Sequence, residues 1–242
     1  KQNFLIGIHM TNDKHQKLIK EQMEYYSGRA SEYDQWFLRQ ERYDKGELVN
    51  ARWLKEVASV RTELAALGPV TEVLELACGT GLWTEELLKI SSSLTAVDGS
   101  AEMITINKSK PGRDKVNFVQ ANLFEWQAQK KYDLIFFSFW LSHVPPEKFN
   151  DFWQMVKESL TPNGQVFFID SLYTQESTAF NQKLRGKKDT IVSRVLNDGT
   201  EFEIVKVFYD PDQLQKDLKN LGWNVNVLKS GKYFLYGGGG VI

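Results

Sequence analysis

Two acidic side chains lie close to a glycine-rich turn in this 242-residue chain and are candidates for binding a ligand. Glu75 lies four residues before Gly79, and Gly81 follows at the end of the turn. Asp98 ends the next apolar run, roughly 20 residues further on, where a carboxylate can accept hydrogen bonds from ribose hydroxyls. A carboxylate beneath such a turn would repel a pyrophosphate but attract an ammonium or sulfonium group. This pattern predicts a site for a nucleoside that carries positive charge.

The elements that position these groups follow from the apolar pattern. Residues 70–76 form an apolar run too short for a helix, bounded by Gly68-Pro69 and by the glycine turn, which indicates a buried parallel strand. Residues 82–90 have helical spacing. A strand, a glycine turn and a helix make the first half of a Rossmann-like nucleotide site, in which the helix N-terminus faces the ligand.

The detail of the turn separates two ligand classes. A dinucleotide site has a third glycine three residues after the second, and Thr84 stands there instead. The segment Glu75-Leu-Ala-Cys-Gly79-Thr-Gly81 resembles the first motif of the class I methyltransferases that depend on S-adenosylmethionine (SAM), with Ala77 at the first glycine of the family pattern. This resemblance implies in-line transfer of a methyl group from SAM, with S-adenosylhomocysteine as the product.

The resemblance also implies roles for residues along the chain. Glu75 and the turn amides would hold the methionine end, Asp98 the ribose, and Met103 and Leu123 the adenine faces. Asn122 stands where family members carry an acid, and it can accept from the adenine amino group or donate to a ring nitrogen. The expected cofactor residues of the core are Glu75, Ala77, Gly79, Gly81, Trp83, Asp98, Gly99, Met103, Asn122, Leu123 and Phe139.

The N-terminal region resembles the cap of quinone-type and other small-molecule methyltransferases. In that cap a tyrosine and an arginine lie near the methionine end of the cofactor, which implies cofactor contacts for Tyr25, Arg29 and Tyr33. The alternative is an amphipathic helix that packs on the domain, because Met23 and Tyr26 also fall at helical spacing.

His143 is the candidate general base, because it follows the central apolar strand and imidazole titrates near neutrality. The alternative is a structural role, in which the histidine lines the cofactor pocket or caps the next helix. The segment from Ser142 to Pro146 lacks the Asn/Asp-Pro-Pro-aromatic pattern of enzymes that methylate amino groups of nucleobases or glutamine. Phe139 and Trp140 could form an apolar wall. We therefore expect a small, aromatic acceptor, methylated at oxygen, nitrogen or carbon.

Composition narrows the class of protein further. The chain is 42% hydrophobic and 25% charged with a net charge of −1, so it has no global basic surface for nucleic acid. The single cysteine, Cys78, fits a reducing compartment, and no apolar run approaches the roughly 18 residues needed to span a bilayer. The three histidines are scattered, so we expect no metal site. We expect a cytoplasmic monomer or homodimer whose partner is a small-molecule acceptor, without nucleic acid or membrane.

Strands and helices alternate and end in a hairpin, which predicts the fold class. We expect an α/β, Rossmann-like three-layer sandwich with a seven-stranded, mostly parallel sheet, an antiparallel C-terminal strand and an N-terminal helical cap. The single domain would span 10–242, with a cap at 10–67 and a catalytic core at 68–242. Within the core, an insertion at about 173–209 contains a polar segment, 173–197, for which the alternatives are a solvated helix and a cover over the substrate. We interpret 1–9 as a remnant of cloning and 237–240 as flexible.

Two other functions are compatible with these patterns. The first is an NAD(P)-dependent oxidoreductase, because dinucleotide enzymes use the same sheet and turn. The second is a SAM-binding protein without catalysis, which would serve as a sensor or as a partner subunit. Both remain open at the level of sequence.

Overall fold

Three helices precede an alternation of strands and helices in the computed structural model, which describes residues 12–242, with side chains from Gln16 onward. The proposed cloning remnant at 1–9 lies outside these residues. The helices are α1 Asn12–Arg29, α2 Tyr33–Phe37, α3 Glu47–Ala65, α4 Thr84–Ile90, α5 Ala101–Lys108, α6 Phe149–Ser159 and α7 Pro211–Asn220. The strands are β1 Val70–Leu76, β2 Ser91–Asp98, β3 Val116–Gln120, β4 Tyr132–Ser138, β5 Leu160–Ser171, β6 Ile191–Val195, β7 Glu201–Val205, β8 Trp223–Lys229 and β9 Phe234–Val241.

The main sheet confirms the predicted fold class. Its seven strands have the order β3-β2-β1-β4-β5-β9-β8 within the described residues. The first five strands pair in parallel, and β9 runs antiparallel to both β5 and β8. The order in which successive strands join the sheet switches sides between β1 and β4, which are parallel neighbours. Ligands of open α/β sheets bind beyond the strand ends at such a point.

Alternation along β1 and β4 divides the core between the two faces of the sheet. Leu74 and Phe137 face a cluster that includes residues of α6 and α7. Val73 and Phe136 face a second cluster that includes residues of α3 and α4. Trp53 of α3 is fully buried there, and its indole nitrogen donates to the carbonyl of Phe37 at 2.9 Å.

The insertion differs from its predicted secondary structure. The prediction of a helix at the start of the insertion was wrong: its regular elements are a short 3-10 turn, Gln175–Ser177, and strand β6. Strand β6 pairs with β7 in a separate two-stranded antiparallel sheet. The hairpin turn contains Asn197-Asp198-Gly199, and Gly199 has a φ of 90°, which suits this turn chemistry. The sheet packs on α1, where the Gln22 side chain accepts from the amide of Val205 at 3.0 Å.

The glycine run near the C-terminus is also ordered differently from the prediction. Gly237–Gly240 lies inside β9, between β5 and β8, so its interpretation as a flexible segment was wrong. A Cβ at Gly237 would lie 2.6 Å from the ring of Phe168, and one at Gly239 would lie 2.0 Å from the carbonyl oxygen of Asn224. The glycines are therefore needed for the close approach of β9 to its neighbours.

We expect Gly237→Ala to lower the free energy of unfolding by about 1–3 kcal/mol, because the added methyl group overpacks against the buried Phe168 ring. Urea denaturation followed by circular dichroism would measure this loss. Gly240→Ala is the matched control, because its Cβ would meet only the carbonyl oxygen of Gly164, at 3.3 Å. Equal losses in both variants would contradict the packing explanation.

Candidate active site

The ends of β1 and β4 adopt an unusual backbone conformation at the point where the sheet order reverses. Ala77, just after β1, and Phe139, just after β4, both have a φ of 53°. Non-glycine residues in the left-handed region cost roughly 1–2 kcal/mol each, and such strain collects at ligand sites. Ala77 stands where the family pattern has glycine, so the substitution retains the backbone shape and adds this strain.

The two glycines of the turn serve different purposes. Gly79 has a φ of 52°, and a Cβ there would meet no atom within 4 Å. Gly81 has a φ of 87°, and a Cβ there would lie 2.1 Å from Oδ1 of Asn107. Gly79 therefore keeps space open beside the site, whereas Gly81 allows the turn to pack on α5.

A buried chain of hydrogen bonds supports the turn from behind. The hydroxyl of Thr84 donates to the Glu75 carboxylate at 2.6 Å, and the Asn107 side-chain amide donates to the Thr84 hydroxyl at 2.9 Å. The Arg113 side chain then donates to Asn107 at 2.9 Å and to the carbonyl of Gly81 at 3.3 Å. These bonds connect the end of β1, the start of α4 and the C-terminal end of α5.

Glu75 therefore has a different place from the one expected. It is 1% exposed and shares the sheet face of Val73, so its side chain points under α4 and does not line the cavity described below. Burial raises the pKa of Glu75 to about 8, and the Thr84 hydrogen bond and the Arg113 charge oppose that rise. Strand alternation is the physical reason, because it places this side chain on the face of the sheet that α4 covers.

Asp98 shapes the neighbouring loop at the end of β2. One carboxylate oxygen accepts from the amide of Gly79 at 2.8 Å, and the other accepts from the amide of Ser100 at 2.9 Å. Burial raises the pKa of Asp98, while these backbone hydrogen bonds oppose the rise. A carboxylate oxygen has two acceptor sites, so Asp98 can also accept from a ligand.

A cavity with an empty volume of about 670 Å³ lies above these strand ends, and we call it the outer chamber. Helix α1 contributes Gln22, Met23 and Tyr26 to its wall. None of these three was predicted as a site residue, although the helical spacing of Met23 and Tyr26 indicated a helix that packs on the domain. The expected cofactor residues on this wall are Tyr33, Ala77, Gly79, Asp98, Gly99, Met103, Asn122, Leu123 and Phe139.

The remaining expected cofactor residues lie elsewhere. Glu75 and Gly81 belong to the supporting hydrogen-bond network behind the turn. Trp83 is 3% exposed and packs between the rings of Phe37 and Phe136. Tyr25 and Arg29 line a second cavity, so the structure does not bring them to the wall of the outer chamber.

This second cavity, the inner chamber, has an empty volume of about 630 Å³. It lies under the cap and the insertion, and residues of α1, β6 and the segment after β5 contribute to its wall. The two chambers share the side chains that separate them, which are Tyr26, Tyr33, Phe139 and His143.

His143 lies at this boundary in a defined tautomer. Its Nδ1 is 2.6 Å from the carbonyl oxygen of Val205, and a carbonyl can only accept, so Nδ1 carries the proton. Its Nε2 accepts from the hydroxyl of Tyr26 at 2.7 Å. Burial, and then the charge of Lys206, lower the pKa of His143 well below its ordinary value of 6.5. The imidazole is therefore neutral and already hydrogen-bonded at both nitrogens.

Among the described side chains, no group of three or more His, Cys, Asp or Glu residues could hold a metal ion. Within residues 12–242, no helix combines the length and the apolar character needed to cross a bilayer.

Comparison with known proteins identifies the family. A family model described as a methyltransferase domain matches residues 73–164, from β1 into β5. The solved structure of a DhpI-SAH complex is 37% identical, with a TM-score of 0.75, and the match covers 92% of this chain and 97% of that one. A DhpI-SAM-HEP complex is also 37% identical with a TM-score of 0.75, covering 91% and 96%. The chain belongs to the class I SAM-dependent methyltransferases, and its cofactor is SAM.

Curated relatives match over shorter stretches. Malonyl-[acyl-carrier protein] O-methyltransferase 2 of Ilyobacter polytropus is 32% identical over 102 residues, which is 41% of this chain and 39% of that protein. Malonyl-[acyl-carrier protein] O-methyltransferase of Priestia megaterium is 33% identical over 101 residues, 40% of this chain and 35% of that protein. The chain therefore matches less than two fifths of the length of these two relatives.

Replacing Glu75 by Gln should change how the stability of the cofactor-free protein depends on pH. Because its pKa is raised from 4.5 to about 8, the folded protein keeps a proton that the unfolded chain loses above pH 4.5. Wild-type stability should therefore fall as pH rises through this window. The Glu75→Gln variant should lack that part of the fall and gain stability relative to wild type at pH 8 but not at pH 4.

Urea denaturation at pH 4, 6 and 8 would measure this difference. Glu85→Gln is the control, because Glu85 is an exposed carboxylate in the same helix, α4. A Glu75→Gln variant that follows the wild-type pH dependence throughout would contradict the buried, protonated state of Glu75.

Proposed function

We propose that the protein transfers the methyl group of SAM to a small molecule held in the inner chamber. The observation that carries this proposal is the shared boundary of the two chambers at Tyr26, Tyr33, Phe139 and His143. A cofactor in one chamber and an acceptor in the other would meet at this boundary. Holding two reactants in line supplies much of the rate of such a displacement.

The outer chamber has the chemistry expected of a SAM site. Asp98 carries the one formal charge among the described residues on its wall, and Met103 and Leu123 supply apolar surface. When bound, SAM supplies an activated methyl group on a cationic sulfur. A dinucleotide would instead place a pyrophosphate here, and the described wall contains no Lys or Arg to neutralise it. This contrast favours SAM transfer over hydride transfer.

Polar side chains of the outer chamber would orient the cofactor through hydrogen bonds. Asp98 would accept from ribose hydroxyls with the acceptor sites that its two backbone hydrogen bonds leave available. Asn122 Oδ1 accepts from the amide of Phe124 at 3.1 Å. Its side-chain NH2 would be available to donate to an adenine ring nitrogen, and the second acceptor site of Oδ1 would be available to the adenine amino group.

His143 would act as a positioning residue. Its lowered pKa and its two hydrogen bonds make it a poor general base, but the hydrogen bond at Nε2 orients the Tyr26 hydroxyl at the boundary. Tyr26 would then contact the acceptor or the methyl donor directly. This arrangement favours the structural alternative for His143 over the role of general base.

The family assignment leaves the chemical class of the methyl acceptor to be proposed. Relatives are named as methyltransferases of malonyl-[acyl-carrier protein], which supports an acyl compound as one candidate acceptor. Trp140, expected as a wall for a flat aromatic acceptor, lines the outer chamber beside Phe124, with ring centroids 5.2 Å apart. Phe139, the other residue of that expected wall, lines both chambers, so the aromatic acceptor stays a prediction. The cytoplasmic location and the monomeric or homodimeric state stay predictions.

Methyl transfer from SAM labelled in its methyl group would test this function. We expect label in a small product and one S-adenosylhomocysteine for each methyl group transferred, across a panel of carboxylates, phosphoryl compounds, phenols and amines. Calorimetry should show binding of SAM and not of NADH. Binding of NADH alone would contradict the proposal, and SAM binding without transfer to any compound would support a sensor.

Tyr26→Phe should lower kcat/KM for the acceptor about 10- to 100-fold, because it removes the boundary hydroxyl and leaves the buried His143 Nε2 without its donor. The wild-type pH–kcat profile should show no inflection near 6.5, because the pKa of His143 is lowered well below that value. Tyr209→Phe is the control, since its hydroxyl lies outside both chambers, 3.5 Å from the carbonyl of Leu141. An inflection near 6.5 that His143→Gln abolishes would restore the base role.

A further inference from the structure

The charge of the inner chamber is strongly one-sided. Three cationic side chains line it, Arg29 from α1, Arg194 from β6 and Lys206 just after β7. Among the described residues on its wall there is no Asp or Glu. Hydroxyl groups of tyrosine, serine and threonine make up much of the remaining polar surface. A chamber lined by cations and hydrogen-bond donors is matched to an anion.

Arg29 lacks a charge partner in the part of the chain that the structure describes. Its side chain is 9% exposed, and its guanidinium carbon lies 5.0 Å from the ring centroid of Tyr33 and 5.6 Å from that of Tyr25. One Nη donates to the Tyr43 hydroxyl at 3.3 Å, but Nε is buried without a hydrogen-bond partner. The hydroxyl of Tyr25 is also buried without a partner. Buried groups of this kind are costly unless a ligand satisfies them.

The other two cations are only partly compensated. Lys206 Nζ donates to the Ser142 hydroxyl at 2.8 Å and lies 3.5 Å from a carboxylate oxygen of Asp170. Asp170 is 1% exposed and also accepts from the backbone amides of Ser142 and Ser171, so its charge is shared. Arg194 donates to the carbonyl of Ser193 at 3.1 Å, and no described carboxylate forms a salt bridge with it. Among the described residues, Asp170 is the one acid that forms an ion pair with any of these three cations, and its partner is Lys206.

We propose that the inner chamber binds an oxyanion, a carboxylate or phosphoryl group, as part of the methyl acceptor. This inference rests on the proposed function, because it assigns the acceptor to the inner chamber. A neutral acceptor would leave Arg29 and Arg194 as uncompensated charges under the cap. An oxyanion satisfies both guanidinium groups with charge-assisted hydrogen bonds.

The same assignment explains why the boundary needs no general base. An oxygen of the bound oxyanion already carries the electron pair that forms the new bond to the methyl carbon. The bond from that carbon to sulfur breaks, its electron pair stays on sulfur, and the product is a methyl ester with one negative charge fewer. No proton is removed, in agreement with a His143 whose two nitrogens are already hydrogen-bonded.

Anion binding can be measured without turnover. Calorimetry on the protein loaded with S-adenosylhomocysteine would use methylphosphonate, inorganic phosphate, propionate and the neutral propionamide as probes. We expect the phosphoryl probes or propionate to bind and propionamide not to bind, and the comparison between the two kinds of anion distinguishes the source of the oxyanion. Binding should weaken as the NaCl concentration rises.

Arg194→Met is the informative variant, because its effect on folding should be small. Arg194 is partly exposed, and its side chain donates to the carbonyl of the neighbouring residue, Ser193. We expect Arg194→Met to weaken anion binding about 10- to 100-fold and Arg194→Lys to restore part of the loss. Lys188→Met is the matched control, since Lys188 is an exposed cation in the same insertion and does not line the chamber. Circular dichroism would confirm that each variant is folded.

The outcomes separate this inference from the proposed function. Propionamide binding as tightly as the anions, or equal anion affinity in Arg194→Met and wild type, would overturn the oxyanion site. Methyl transfer to neutral compounds alone would overturn it as well and leave the methyltransferase function intact. Anion binding that depends on Arg194, combined with no transfer to any anion, would support the site and overturn its role in catalysis.

Discussion

The two hydrogen bonds of His143 join the three parts of the molecule that enclose the site. Nδ1 donates to Val205 of the insertion, and Nε2 accepts from Tyr26 of the N-terminal cap, while His143 itself follows the central strand β4. Gln22 strengthens the junction, because its side chain donates to the His143 carbonyl at 3.1 Å and accepts from the amide of Val205. This junction helps to fix the cap and the insertion relative to the strand ends, and so contributes to the boundary between the two chambers.

The walls of the two chambers carry charges of opposite sign. The outer chamber has a carboxylate, Asp98, and no described cation on its wall, whereas the inner chamber has three cations and no described acid. A cationic methyl donor and an anionic acceptor would each be attracted to the chamber of opposite charge, and their own charges would attract each other across Tyr26 and Tyr33. Desolvation under the cap strengthens these interactions, since the effective dielectric constant falls with burial.

The hydrogen-bond network behind the glycine turn has a separate role, which is to hold the conformation of the turn. Glu75, Thr84, Asn107 and Arg113 are all buried, and each takes part in a hydrogen bond to another member. Satisfied polar networks of this kind rigidify their surroundings. The turn can therefore hold Ala77 and Gly79 in the left-handed region, which opens the floor of the outer chamber to a ligand. The motif acid is therefore a structural support of the turn.

The local pattern of the chain determined the strand, glycine turn and helix around residues 70–90 and the alternation of strands and helices in the core, because hydrophobic period and turn chemistry act over a few residues. The resemblance of the turn to a family motif implied the class of cofactor. Tertiary structure decided what depends on contacts between distant segments. Strand alternation turned Glu75 under α4, close strand packing ordered Gly237–Gly240, and folding gathered Arg29, Arg194 and Lys206 from three elements around one chamber. No local pattern relates these three cations, since their proximity arises only when the cap and the insertion meet over the sheet.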